Sequence, residues 1–359
     1  MLCILLSKVK VALAGVGNCT SALVQGIQYY RNREHDPVGL TSYSIAGIEP
    51  GDVEFVAAFD VNDKKVGKDL SDAIFQHPNN TVKISDVPRL NVDVEKGPLL
   101  DGIGKYLKNV IDVKNNEPSD VSTRLKETGA DILINYLPVG STQATKSYAQ
   151  SALDAGVAFI NAIPVFIAST TEWQTKYKEK GLPIAGDDVM SQLGATVLHK
   201  TLVKLFVDRG VKVDETYQLN LGGDADFLNM LEESRLVDKR ESKTSAVKAM
   251  APYDVPTRIG PSDYVEFLEN DKICYIWLKG RYFGNIPVML DAKLHVIDAY
   301  DSAGVMIDAI RATKLAIERG TSGPLTSVSA YCFKHPPVQM TYERAKKEFI
   351  EFVEGKRER

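Results

Sequence analysis

The sequence predicts an α/β protein: a Rossmann-type, doubly wound parallel sheet with an inserted α+β domain. Three observations predict it. Short apolar strands alternate with helical segments from Val9 to Asp188, a glycine turn follows the first strand, and strands of alternating polarity replace them further on. At 359 residues the chain exceeds the size at which one core usually stops growing, so two domains are expected. The expected boundaries are 1–192 with 302–359 for the nucleotide-binding domain and 193–301 for the inserted one.

The run Val9 to Ala14 is apolar and β-branched, Gly15-Val16-Gly17-Asn18 is a turn, and Ser21 to Tyr30 has helical spacing. Together they open a βαβ unit. Val53 to Asp60 is a second strand ending in a carboxylate, after a loop-rich insertion of roughly His35 to Asp52. Asp131 to Pro138, Ala158 to Ala162 and Pro183 to Asp188 repeat the strand pattern. A helix is expected near Ala195 to Asp208. Thr216 to Leu221, Ile273 to Leu278 and Ala292 to Ile297 alternate, which predicts an open antiparallel sheet with one helix-covered face. Asp301 to Glu318 is a long helix returning to the first domain, and the charged tail after Thr341 reads as a solvated helix.

Composition excludes several functions. Forty-three Lys and Arg against 47 Asp and Glu give a net charge of −4, so neither nucleic acid nor a membrane surface is an expected partner. Cys3, Cys19, Cys274 and Cys332 form no CxxC pair, which fits a reducing compartment, and the histidines show no metal-ligand spacing. Leu2 to Leu6 is too short for a signal segment, and no apolar stretch approaches the roughly 20 residues of a membrane span. The expected location is the cytoplasm.

Gly15 and Gly17 permit a tight turn and close approach to a pyrophosphate, with Asn18 opening the helix behind them. Thr20 stands where a third glycine is usual, and a plain βα turn is the alternative reading. Asp60 ends the next strand, where a carboxylate accepts hydrogen bonds from ribose hydroxyls and repels a 2′-phosphate; this favours NAD over NADP. Asn135, Pro138 and Ser141, then Asn161, and then Asp187 follow successive strand ends, which makes them candidate cofactor contacts as well as ordinary turn residues. Ser191, Gln192 and Thr196 form a polar turn entering a helix, suited to a phosphate or to capping alone. Lys239 and Lys243 are four apart and share a helix face, an arrangement that an intervening anion would favour over a solvated basic surface.

The ordered segments Gly15-Val-Gly-Asn18, Phe59-Asp60, Tyr136 to Ser141, Asn161 to Phe166, Gly186-Asp187-Asp188, Asn220 to Asn229, Ser242-Lys243-Thr244, Gly260 to Tyr264, Asp271-Lys272 and Asp301-Ser302 resemble those of the myo-inositol-1-phosphate synthase family, in its shorter archaeal and bacterial type. The resemblance runs from Val9 to about Pro337. It implies conversion of D-glucose 6-phosphate to 1L-myo-inositol 1-phosphate by C5 oxidation, enolisation, aldol closure and re-reduction, with NAD regenerated. It implies Lys239, Lys243, Lys272 and Lys334 as catalytic cations, with Asp188, Asp226, Asp301 and Asn220 around them. Lys334 and Lys239 would serve the C5 oxygen, Lys272 the aldol oxyanion, and Lys243 the substrate phosphate with Ser191, Gln192 and Thr196. It further implies a homotetramer built on the inserted domain and a divalent cation of unspecified identity. A net-redox NAD dehydrogenase and a non-catalytic dinucleotide-binding protein remain the alternatives.

Overall fold

The computed structural model describes residues 8–33 and 35–359; the run Leu2 to Leu6 and Cys3 lie outside the described residues. In chain order the strands are β1 (Val9–Ala14), β2 (Val53–Asp60), β3 (Val94–Lys96), β4 (Ile132–Asn135), β5 (Ala158–Asn161) and β6 (Pro183–Gly186), then β7 (Lys212–Gly222), β8 (Thr257–Tyr264), β9 (Asp271–Arg281), β10 (Pro287–Ile297) and β11 (Gly323–Pro324). The first sheet has the order β11-β6-β5-β4-β1-β2-β3, and all its pairings are parallel. Strand order reverses beside β1, so a crevice opens beyond the carboxyl ends of β1 and β4.

Helices cover both faces, which is why β1, β4 and β5 read as nearly continuous apolar runs. Val11 and Leu13 of β1 pack with the helices Asn18–Arg31, Asp298–Glu318, Thr326–Cys332 and Tyr342–Val353. Ala12 and Ala14 pack on the other side with Val121–Thr128, Thr142–Ala155 and Thr171–Glu179. The C-terminal helix is not the solvated one expected: Ala345, Phe349 and Phe352 are buried, as is Glu348, which pairs with Arg344 and Arg357. The insertion after residue 34 is loop-rich as expected. Fully buried Arg311 fastens it, donating to the carbonyls of Ser42 (2.9 Å) and Tyr43 (2.7 Å) while pairing with Asp308.

The second sheet has the order β10-β9-β7-β8. β9 is antiparallel to β10 and β7, but β8 runs parallel to β7, so the sheet is mixed rather than antiparallel. The cause is the helix Val237–Lys248, which carries the chain back as a crossover; a parallel neighbour needs one. That helix and Ala195–Asp208 cover one face through Val203, Phe206 and Val247 over Ile259, Ile276 and Leu278. The other face leaves Leu219 (42%), Tyr275 (40%) and Met289 (62%) exposed. Among the described residues, no helix is long and apolar enough to cross a membrane.

Candidate active site

One cavity of about 270 Å³ runs from the glycine turn to the mixed sheet. Its dinucleotide end is lined by Gly15, Val16, Gly17, Asn18 and Asp60, with Pro138 and Ser141 alongside. Gly15 has φ +95°, and a Cβ there would lie 2.6 Å from the Tyr136 carbonyl oxygen, so the turn admits only glycine without rearrangement. Thr20 takes the third glycine's place because its hydroxyl donates to the Gly15 carbonyl (2.6 Å), bracing the turn from below. Gly17 caps the helix Asn18–Arg31 without any side-chain bond, leaving its first N–H groups available to an anion. Asp60 accepts from the N–H of Val16 (2.8 Å) with Oδ2 and from Val61 and Asn62 with Oδ1, while staying half-buried at the cavity edge. These residues fit a dinucleotide.

Lys65 was not singled out in the sequence, yet it belongs here. Its ammonium donates to the Val16 carbonyl (2.7 Å) and to Asn79 Oδ1 (2.8 Å), and burial lowers its pKa against the pull of Asp60. Nothing in the local pattern Asp63-Lys64-Lys65 separates it from a surface lysine; only the fold turns it inward.

Three expected cofactor contacts take another role. Asn135, Asn161 and Asp187 are fully buried and do not line the cavity. Asn135 donates to Asn161 (2.9 Å), and Asn161 donates to Asp187 (2.7 Å). Asp187 also accepts from the N–H groups of Ile167, Ala168 and Ser169 at 3.0 Å each. Burial pushes its carboxyl up to about 6 against those bonds. Residues at strand ends can serve the crevice or the layer beneath it, and these three tie adjacent strand ends together beneath it.

At the far end Lys239, Lys243, Lys272 and Lys334 converge with Asp188 and Asp226 on the same cavity. Lys239 pairs with Asp226 (2.7 Å), Lys272 with Asp298 (2.7 Å) and Lys334 with Asp188 (2.9 Å). Asp188 accepts from the Ser242 hydroxyl (2.7 Å) with its other oxygen. Burial alone would raise the Asp188 pKa, but Lys334 and Lys239 overcome it and hold the carboxylate below its usual range. Burial likewise opposes charge on Lys239 and Lys272, yet Asp226 for the first and Asp298 for the second raise both. Lys243 has no such partner among the described residues, and burial followed by the charges of Lys239, Lys272 and Lys334 depresses it far below a normal lysine.

Asp298 and Asp224 are the carboxylates the sequence reading passed over. Asp298 begins the helix after β10, and the β9–β10 register, Val296 opposite Lys272, delivers it to that lysine. Asp224 caps the helix Ala225–Asn229 and accepts from Asn270 (3.1 Å); burial, then Asp226 and Asp298, push it up to about 7. Asp301, expected in the site, stands outside the cavity lining. Its carbonyl and Oδ1 accept from Gln192 N (2.7 Å) and Leu193 N (3.1 Å), so it fixes the Ser191 turn.

Of the expected phosphate residues, Ser191 and Lys243 line the cavity. Gln192 turns away to donate to the Gly39 carbonyl, and Thr196 is buried at the second position of its helix, outside the lining. The helix Ala195–Asp208 begins at Gly194 without a side-chain cap, leaving its first N–H groups for an anion. Asn220 also lies outside the lining; it accepts from Gln218 (3.0 Å) and donates to the Gly260 carbonyl (2.7 Å), tying β7 to β8.

A clasp joins the two ends. Arg235 donates to the carbonyls of Asp101 (2.8 Å) and Gly102 (3.2 Å), and its stem fills a notch over Gly140 where a Cβ would approach to 2.7 Å. Asn229 adds a bond to the Val139 carbonyl (2.9 Å). The segment leading to Lys239 and Lys243 is thereby fastened to the loops after β3 and β4.

A doubly wound sheet, an uncapped glycine turn and a paired lysine cluster in one cavity define a dinucleotide-dependent enzyme acting on an anionic substrate. Residues 194–299 match the family described as myo-inositol-1-phosphate synthase. The chain is 53% identical to the inositol-3-phosphate synthase of Mycolicibacterium smegmatis, over 97% of this chain and 98% of that one. It is 47% identical to the inositol-3-phosphate synthase of Corynebacterium glutamicum over the same shares. A solved myo-inositol-1-phosphate synthase-related protein from Thermotoga maritima superposes with a TM-score of 0.83 at 25% identity, covering 97% of this chain and 98% of that one. The chain belongs to the myo-inositol-1-phosphate synthase family.

Proposed function

We propose that this protein converts D-glucose 6-phosphate to 1L-myo-inositol 1-phosphate, the same compound as 1D-myo-inositol 3-phosphate, with NAD unchanged over the cycle. The carrying observation is the convergence of four lysines, three with carboxylate partners, in the cavity that also holds the glycine turn. Gly15 to Asn18 and Asp60 would hold NAD, which would supply reversible hydride exchange at C5. In this reading Lys334 and Lys239, held by Asp188 and Asp226, move protons at the C5 oxygen. The C5 carbonyl makes a C6 proton acidic; an unprotonated amine of the lysine cluster takes that proton, and the C6 of the resulting enolate attacks the C1 aldehyde. Lys272, held by Asp298, donates to the C1 oxygen as it gains negative charge. Ser191, Lys243 and the helix start at Ala195 hold the phosphate. Among the described residues, no three His, Cys, Asp or Glu side chains gather to hold a metal, and no step is routed through a divalent cation.

Incubation with catalytic NAD⁺ and glucose 6-phosphate tests the reading. Phosphorus NMR is expected to show inositol phosphate without net NADH absorbance. Stoichiometric NADH would favour a net-redox dehydrogenase instead.

In the same reading residues 1–192 with 302–359 bind NAD and supply Lys334 and Asp188, while 193–301 supply the other catalytic lysines and carry homotetramer assembly. The exposed Leu219, Tyr275 and Met289 on the uncovered sheet face support assembly. Leu219→Asp is expected to give smaller species by light scattering; an unchanged mass would move the interface elsewhere. The buried free cysteines Cys274 and Cys332 suit a reducing, cytoplasmic setting.

A further inference from the structure

The four cavity lysines are not equivalent. Lys239, Lys272 and Lys334 each touch a carboxylate at 2.7–2.9 Å. Lys243, only 5% exposed and one helical turn beyond Lys239, has no carboxylate within ion-pair distance among the described residues. The groups that face it can be named by element. Lys239 and Ser242 come from its own helix, Lys272 and Cys274 from β9, Asp188 from the loop after β6, and Lys334 from the segment after the helix Thr326–Cys332. Asp188, the one carboxylate among them, has both oxygens engaged, by Lys334 and by Ser242. His199 and Lys200, on the helix packed alongside, are occupied with Thr216, Gln218 and the Met340 carbonyl.

A buried ammonium ion surrounded by three others, with its nearest carboxylate already shared, is the least stable charge in the cavity. A phosphate dianion supplies the missing counter-charge. Resting on the reading above, we infer that Lys243 is an uncharged amine in the sugar-free enzyme and takes up one proton as the phosphorylated substrate binds. The step balances simply: the amine gains a proton from solvent, and no bond in the sugar changes. Phosphate recognition and protonation are then one event. Linkage fixes its direction: while the phosphate remains a dianion, above its second pKa of about 6, affinity falls by up to about tenfold per pH unit once the sugar-free amine is deprotonated. The other three lysines, each already held by a carboxylate at 2.7–2.9 Å, do not need the phosphate as counter-charge. A free sugar, lacking the dianion, leaves Lys243 neutral, so the cavity rejects it by withholding the fourth cation.

The test uses the NAD-loaded protein and inorganic phosphate at pH 8.5, where the probe is already a dianion. Calorimetric titration in two buffers of different ionisation enthalpy counts protons taken up on binding. Wild type is expected to take up close to one proton. Lys243→Arg, with a permanent charge, is expected to bind phosphate with no uptake, and Lys243→Met to lose phosphate binding by at least about tenfold. In parallel, trace labelling with acetic anhydride and peptide mass spectrometry reads each lysine separately. Lys243 is expected to react at neutral pH faster than Lys239, Lys272 and Lys334, and to be protected by phosphate. Phosphate binding without proton uptake in wild type, or uptake undiminished in Lys243→Arg, overturns the inference; so does an absence of phosphate binding. Failure to form inositol phosphate while proton uptake persists would instead overturn the reaction and leave Lys243's role standing.

Discussion

Lys272→Ala is expected to abolish turnover while NAD still binds. In the proposed reaction Lys272 faces the oxygen that becomes an alkoxide during ring closure, and removing such a donor costs about 10²–10³ in kcat. The deletion also strands Asp298, which is half-buried beside it. Breaking one half of such a pair costs up to roughly 3–5 kcal/mol, so lost activity alone would not separate chemistry from folding. The double variant Lys272→Met with Asp298→Asn does. Removing both charges is expected to restore most of the thermal stability lost in Lys272→Ala, without restoring turnover. NAD affinity, measured by calorimetry, is expected to change little, because the dinucleotide end is built from Gly15 to Asn18 and Asp60. Normal rates in Lys272→Ala would refute the assigned role.

Asp188→Asn is the second large effect. Asp188 has φ +62°, a conformation asparagine tolerates nearly as well as aspartate, so the backbone is expected to survive the exchange. What disappears is the charge holding Lys334 at 2.9 Å and opposing Lys239. We expect kcat to fall by at least about 10²-fold, the scale for removing one group that supports proton transfer. The pH dependence has a definite sign. The folded carboxyl titrates below its unfolded value, so its stabilisation is present above the unfolded pKa and lost as pH falls through the folded one. Acid unfolding curves of Asp188→Asn are therefore expected to lose part of the wild-type slope below about pH 4. An identical acid limb in the two proteins would show that Asp188 is not held as described.

Much of the fold was legible because its signals are local. The strand–glycine–helix opening, the helix Ala195–Asp208 and the three alternating strands can be read from periodicity within a few residues. β8 escaped because Gly260-Pro261-Ser262 carries the residues of a turn, and its pairing with β7 depends on a crossover 34 residues long between Gly222 and Thr257. The same division holds for the site. The four lysines expected in the site line one cavity, but sequence spacing says nothing about which carboxylate each one meets. Asp298 and Asp301 lie three apart on one helix, and only the β9–β10 register decides that the first reaches Lys272 and the second braces the Ser191 turn. Asn135, Asn161 and Asp187 illustrate the converse: a strand end marks the neighbourhood of a crevice without telling which side chains point into it.

The Arg235 clasp bears on how the nucleotide is kept. The stretch of chain that roofs the Gly140 notch is continuous with the helix presenting Lys239 and Lys243. Arg235 lines the same cavity as the glycine turn and the lysine cluster, so the two ends share one wall. For a catalyst that ends every round with its nucleotide in the starting oxidation state, exchange serves no purpose. Opening that wall would disturb both ends at once, so retention of the nucleotide over many turnovers is the expected behaviour, checked by following NAD release during catalysis.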